Sequence, residues 1–196
     1  MEIKDGIKTF YAESQSSWRK WLEDNHLTEK SVWLIIYRKE SGVPSVYYPE
    51  AVDEALCFGW IDSKPNKRDE KSFYQFFSKR NPKSNWSQVN KLKVERLLAE
   101  GKIAKAGADM IELAKVSGTW NALDQVDSLE IPQDMAGLFE LNLTAKSNFE
   151  AFPKSVKRGI LEWIMNAKQT ETRLKRIQET ISLAQNNERA NQYKKK

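Results

Sequence analysis

The 196-residue chain holds one cysteine and one histidine. The lone Cys57 excludes an intramolecular disulfide and any zinc site built on several thiolates. With His26 as the sole imidazole, a histidine-rich metal centre is excluded as well, and nothing beside it completes a nucleophile–base–carboxylate triad. No apolar run approaches the roughly 20 residues that a membrane-spanning helix needs. Gly-rich loops of the phosphate- or dinucleotide-binding types are missing too. The opening Met1-Glu2-Ile3-Lys4-Asp5 lacks the charged-then-apolar layout of a secretory signal, so a cytoplasmic location is expected.

What the chain does have is aromatic mass and charge. Hydrophobic residues make up 40% and charged residues 30%, which is enough apolar content for a packed core. Seven tryptophans contribute large rings to that core. The net charge of +5 is unevenly placed: residues 1–153 carry 21 Lys and Arg against 23 Asp and Glu, and residues 154–196 carry 11 against 4. The basic end, closing on Lys194-Lys195-Lys196, permits anionic partners, although a solvated basic helix explains it equally.

Periodicity predicts an α+β protein: a small antiparallel sheet of about four strands packed with helices, then a C-terminal helical module. A first helix is expected over 14–25, with Trp18, Trp21 and Leu22 on one stripe and Ser14 or Ser17 as cap. Residues 31–38 are apolar on both alternations, which predicts a strand covered on both faces. Ser41-Gly42-Val43-Pro44 signals a turn, and Val46-Tyr47-Tyr48 a short partner strand. Pro49 and Glu50 open a helix that Gly59 closes. Residues 60–63 and 72–77 are expected to pair as a hairpin across a polar loop from Lys64 to Lys71. Helices are predicted from Ser84 to about Glu100 and near 104–116, with an irregular connector at 117–130. Four more helical segments follow, opened by Pro132, around 145–152, after Pro153 and from Thr170. The expected domains are 1–125, 126–190 and a basic tail at 191–196.

Polar and aromatic residues alternate most densely in 59–96. If the hairpin forms, the start of the helix from Ser84 lies near one of its ends and presents free N–H groups and partial positive charge. Arg80, Lys83, Ser84 and Ser87 add donors there. Trp60, Asp62, Lys64, Arg80, Ser84, Trp86 and Asn90 are therefore the candidate ligand-binding residues, for a small anionic or polar ligand. A purely structural reading also accounts for them: Asp62 paired with Arg80 or Lys64, Ser84 as a cap, the tryptophans as core. No residue is assigned as catalytic, and no metal or cofactor is expected. His26 sits where a helix C-terminus favours a cation, and Cys57 lies on a helix expected to be buried.

The run from Glu50 to Ser63, with Cys57-Phe58-Gly59-Trp60-Ile61-Asp62 at its centre, resembles the YdeI/OmpD-associated, or bacteriocin-protection, family. Phe77-Ser78-Lys79-Arg80, Ser84-Asn85-Trp86-Ser87 and Asn90 follow in the same way. Trp163 to Lys168, Glu171-Thr172-Arg173 and Arg176-Ile177 are similar to that family's C-terminal module. The resemblance spans about residues 14–185; one small departure is Ile103, where a Met is expected. It implies a link to resistance against bacteriocins or cationic peptides and to an outer-membrane porin, but no reaction, cofactor or catalytic residue. A positively charged chain is a poor electrostatic trap for cationic peptides without a local acidic patch.

Three functions are in competition. The first is a non-enzymatic ligand-binding or stress-response protein using the 60–90 corner, with a protein partner as a further option. The second is nucleic-acid binding through Lys168, Arg173, Lys175, Arg176, Arg189 and the terminal lysines. Few aromatics interleave there, and this ranks it lower. The third is an enzyme with Asp62 as base in a Trp-rich pocket; no partner residue is identifiable for it.

Overall fold

The computed structural model describes residues 2–192. They divide into two units, Met1–Ala122 and Leu123–Lys196. The α+β class stands, with a mixed sheet in the first unit and helices in the second.

In the first unit, five strands lie in the order β1-β2-β3-β5-β4: β1 Ile3–Lys4, β2 Ile7–Tyr11, β3 Ser31–Tyr37, β4 Trp60–Lys67 and β5 Ser72–Lys79. One pair, β2 on β3, is parallel, so the sheet is mixed and not wholly antiparallel. The crossover between them is α1, Gln15–Asn25. Its start is fixed by a capping box in which Ser14 and Ser17 bond reciprocally.

Strand β3 is buried from Val32 to Ile36. Its Val32, Leu34 and Ile36 join Trp18 and Leu22 of α1 and Val52 and Leu56 of α2, Tyr48–Cys57, in one core. The expected strand at Val46–Tyr48 does not form. Val46 makes a single backbone bond to Ala12, and its side chain is buried. Tyr47 caps α2 instead, with Glu50 reaching back to the Tyr47 N–H. Gly59 ends this segment at φ +72°, and an added Cβ would stand 3.0 Å from the Ala106 carbonyl oxygen. Both the conformation and the close approach require glycine.

The β4–β5 hairpin is longer than expected. Its strands run on to Lys67 and from Ser72, so residues 68–71 alone remain as the loop. A bulge between Asp62 and Pro65 shifts the register. Pro65 is tolerated because β4 is an edge strand, where no ladder bond needs its missing N–H.

The helix expected from Ser84 starts later, as α3, Gln88–Ala99. Ser87 is its cap, and Ser84 is held in a turn by donating to the Asn81 carbonyl. Helix α4, Lys105–Ser117, completes the unit. Its Gly107 lies directly against the carbonyl of Cys57.

The second unit contains α5 Asp124–Asp127, α6 Gln133–Glu140, α7 Leu143–Ala151, α8 Lys154–Met165 and α9 Thr170–Gln185. Gln169, not Thr170, occupies the cap position of α9. Phe139, Phe149, Ile160, Leu161, Ile164 and Ile177 form the centre of a separate core. The lysines of the expected basic tail, 194–196, lie outside the described residues.

Candidate functional site

The seven candidate residues do not converge on one point. Trp60 is a core side chain, 1% exposed, edge-on to Trp21. Asp62 pairs with neither Arg80 nor Lys64; its Oδ2 accepts a 2.7 Å hydrogen bond from the Tyr48 hydroxyl. Burial, with the carboxylate second, pushes the Tyr48 hydroxyl up to about 12. Lys64 is exposed, its ammonium 6.0 Å from the Trp33 ring. Ser84 is spent on its own turn, and the Asn90 backbone N–H serves the Ser87 cap.

Arg80 and Trp86 do meet. Arg80 follows the end of β5, where its N–H donates to Gly59 across the sheet edge. Its guanidinium carbon lies 3.7 Å from the centre of the Trp86 ring. Trp86 is held by its N–H on Thr119, and its ring lies 5.0 Å from that of Trp120. The ammonium groups of Lys91 and Lys115 each stand 6.0 Å from the Trp120 ring. Two packed indoles thus have cations on several sides.

The electrostatics of Arg80 set it apart. The residue is 5% exposed, and Nη2 donates 2.6 Å to the Asn85 carbonyl. Nε is buried and has no acceptor among the described residues. Burial alone pushes the guanidinium down to about 10, with no carboxylate acting against it. Two other buried or half-buried charges are matched. Glu54, 3% exposed, takes Gln15 at 2.6 Å and Arg19 at 2.8 Å. Asp53 holds Lys93 and Arg96, each at 2.5 Å.

The remaining candidates are structural in their contacts. His26 Nδ1 stands 2.8 Å from the Leu22 carbonyl oxygen, which can only accept, so Nδ1 carries a proton. Cys57 is buried at the end of α2, and burial, reinforced by Glu54, pushes its thiol up to about 11. Among the described residues, no group of three or more His, Cys, Asp or Glu side chains is placed to hold a metal ion. No helix among them is long and apolar enough to cross a membrane.

In the second unit, the cations proposed for nucleic acid are partly engaged. Arg173 binds Asp134 with two bonds, at 2.6 and 2.9 Å. Arg176 donates to the Trp163 carbonyl and lies 4.9 Å from its ring. Arg189 stands 5.9 Å from the Phe152 ring.

Residues 10–110 match the family described as a domain of unknown function (DUF8412). Residues 128–187 match the family described as bacteriocin-protection, YdeI or OmpD-associated. The Cys57–Asp62 motif falls within the first match and the Trp163–Ile177 stretch within the second. Neither a curated protein nor a solved structure matches the chain. The chain belongs to the family of that domain of unknown function, and it carries a YdeI/OmpD-associated domain in its helical unit.

Proposed function

We propose that this two-domain family member is a non-enzymatic binding protein whose N-terminal unit takes a small anionic ligand at Arg80 and Trp86. One observation carries the reading: Arg80 is a buried cation without a counter-charge among the described residues. Removing a guanidinium from water costs several kcal/mol unless an anion and further hydrogen bonds repay it. The Trp86 face and the Asn85 carbonyl offset that cost but leave Nε without a partner among the described residues. The empty Nε leaves a donor for a carboxylate or phosphate oxygen.

A thermal-shift series with phosphate, sugar phosphates and short carboxylates tests this, at low and at high salt. A ligand at 100 times its Kd stabilises by about 2.7 kcal/mol. That stabilisation should vanish in Arg80→Gln. If every stabilising anion acts equally on Arg80→Gln, the assignment fails.

The other two readings have less behind them. An Asp62-centred enzyme needs a free base, and the Tyr48 hydroxyl occupies that carboxylate. Nucleic-acid binding by the C-terminal helices must draw on Arg173 and Arg176, whose donors serve internal contacts. Bacteriocin protection, from the description of the family matched by residues 128–187, fits a binding protein that responds to a small signal.

A further inference from the structure

The sheet carries a recess at the end remote from Arg80. It has a volume of about 380 Å³ and is lined by Arg38, Pro65, Asn66, Lys67 and Phe73. This is within the range of small-molecule sites. Its origin is in the register. Ile36 pairs with Phe73, and Lys67 pairs with the same Phe73 from the other side. The bulge before Pro65 brings β4 into that alignment. Phe73 packs against the edge of the main core. Beyond it the strands run out into Arg38 and Lys67, which are exposed.

The recess therefore has an apolar, aromatic floor and a cationic rim. The Arg38 guanidinium forms no ion pair among the described residues; its contact is the Phe73 ring, at 6.0 Å from the centroid. Arg80 on Trp86 shows what direct stacking looks like, at 3.7 Å. A planar group between a guanidinium and a ring needs about 7 Å in all, two ordinary contacts. Arg38 is close to that spacing already. Lys67 is engaged by Glu70 at 2.6 Å, but this pair is exposed on both sides. Such a pair is weak, and Lys67 can turn to a stronger anion.

We infer that this recess binds a planar aromatic anion of the nucleoside monophosphate class, its base on Phe73 and its phosphate on Arg38 and Lys67. The inference is independent of the Arg80 corner. The recess supplies a ring for stacking and two cations for the phosphate.

Calorimetric titration of the whole protein with adenosine monophosphate, ribose 5-phosphate and a five-residue oligoadenylate is the test. Adenosine monophosphate should bind at least about tenfold more tightly than ribose 5-phosphate, which lacks the stacking ring. Arg38→Gln, a change at an exposed side chain, should weaken it by about tenfold. Phe73→Leu, checked by its melting temperature, should remove most of the preference over ribose 5-phosphate. Tighter binding of the oligoadenylate would identify a single strand as the natural source; equal binding would identify the free nucleotide. Equal affinity for the two monophosphates, wild-type affinity in Arg38→Gln, or no binding of either adenine compound would overturn the inference. So would loss in Arg80→Gln with retention in Arg38→Gln, since the ligand would then sit in the other corner.

Discussion

Replacing Arg80 with methionine separates a binding residue from a structural strut. With its pKa pushed down to about 10, the buried charge costs roughly 3 kcal/mol relative to an exposed guanidinium. Against this stand one hydrogen bond from a charged donor to Asn85, worth about 1.5–3 kcal/mol, and the Trp86 stack, worth about 2 kcal/mol when desolvated. Arg80→Met removes all three. Methionine keeps an unbranched, polarizable chain beside the indole. The opposing contributions nearly cancel, so the unliganded N-terminal unit should change in stability by no more than about 1–2 kcal/mol. Melting followed by tryptophan fluorescence reads this, with roughly 4 °C per kcal/mol for a unit of this size. The sign with pH is fixed as well. The unfolded chain binds this proton more tightly than the folded one, so the Arg80 penalty should fade as pH rises through about 10. A loss above about 4 kcal/mol in Arg80→Met would refute the reasoning. It would mean that the guanidinium is repaid within the fold and has no need of a ligand.

Other expectations follow from the same contacts. Gly107→Ala should destabilise the N-terminal unit by at least about 1–3 kcal/mol, because its Cβ would fall 2.3 Å from the Cys57 carbonyl oxygen. Gly137→Ala, in a helix with nothing within 4 Å of the new Cβ, should stabilise by about 0.5–1 kcal/mol; denaturant melts of the two variants should move in opposite directions. Glu54→Ala should cost about 2–4 kcal/mol, since it strips the buried partner from Arg19 and Gln15, and a chemical melt measures it. The Arg173 pair holds the Asp134 carboxyl below its usual range. Its stabilisation is therefore present above the ordinary carboxylate range and lost as pH falls through the depressed value. Asp134→Asn should flatten the acid limb of the stability curve of the helical unit. Cys57, buried and pushed up to about 11, should resist iodoacetamide at pH 8 until the protein unfolds.

The elements legible in the sequence are those in which one local pattern has one physical solution. Ser31–Tyr37 is apolar on both alternations, and the strand is buried from Val32 to Ile36. Pro49, Glu50 and Gly59 punctuate α2, which spans Tyr48–Cys57. Val46-Tyr47-Tyr48 misled because β-branched and aromatic content reads as strand. Here Val46 is buried as a plug beside Ala12, and Tyr47 is taken by the capping box of the next helix. Strand β2 escaped for the opposite reason. Ile7-Lys8-Thr9-Phe10-Tyr11 is short and mixed, and its partner β3 lies parallel to it beyond a whole helix. Parallel pairing leaves no hairpin turn to announce it.

The candidate site was legible only where neighbours in sequence are neighbours in space. Arg80 and Trp86 lie six residues apart across one tight loop, and they stack. Asp62 was matched to nearby cations, yet its hydrogen-bond partner is the hydroxyl of Tyr48, 14 residues upstream at the start of α2. Ser84 and Ser87 both offer a cap, and the choice falls to Ser87 because Ser84 is committed to the Asn81 turn and Trp86 to Thr119. The quantity that distinguishes Arg80 cannot be read from its own segment at all. A list of residues shows that an arginine is present; it does not show that the residue is buried with no carboxylate acting on it among the described residues. By contrast, α1 and α3 deliver Arg19, Lys93 and Arg96 to Glu54 and Asp53, two of the acids of α2. Arg80 is left as a buried cation with a ring, a carbonyl and an unsatisfied donor among the described residues. A bound anion is the simplest completion of that set, and the Arg80→Met melt decides whether the fold needs one.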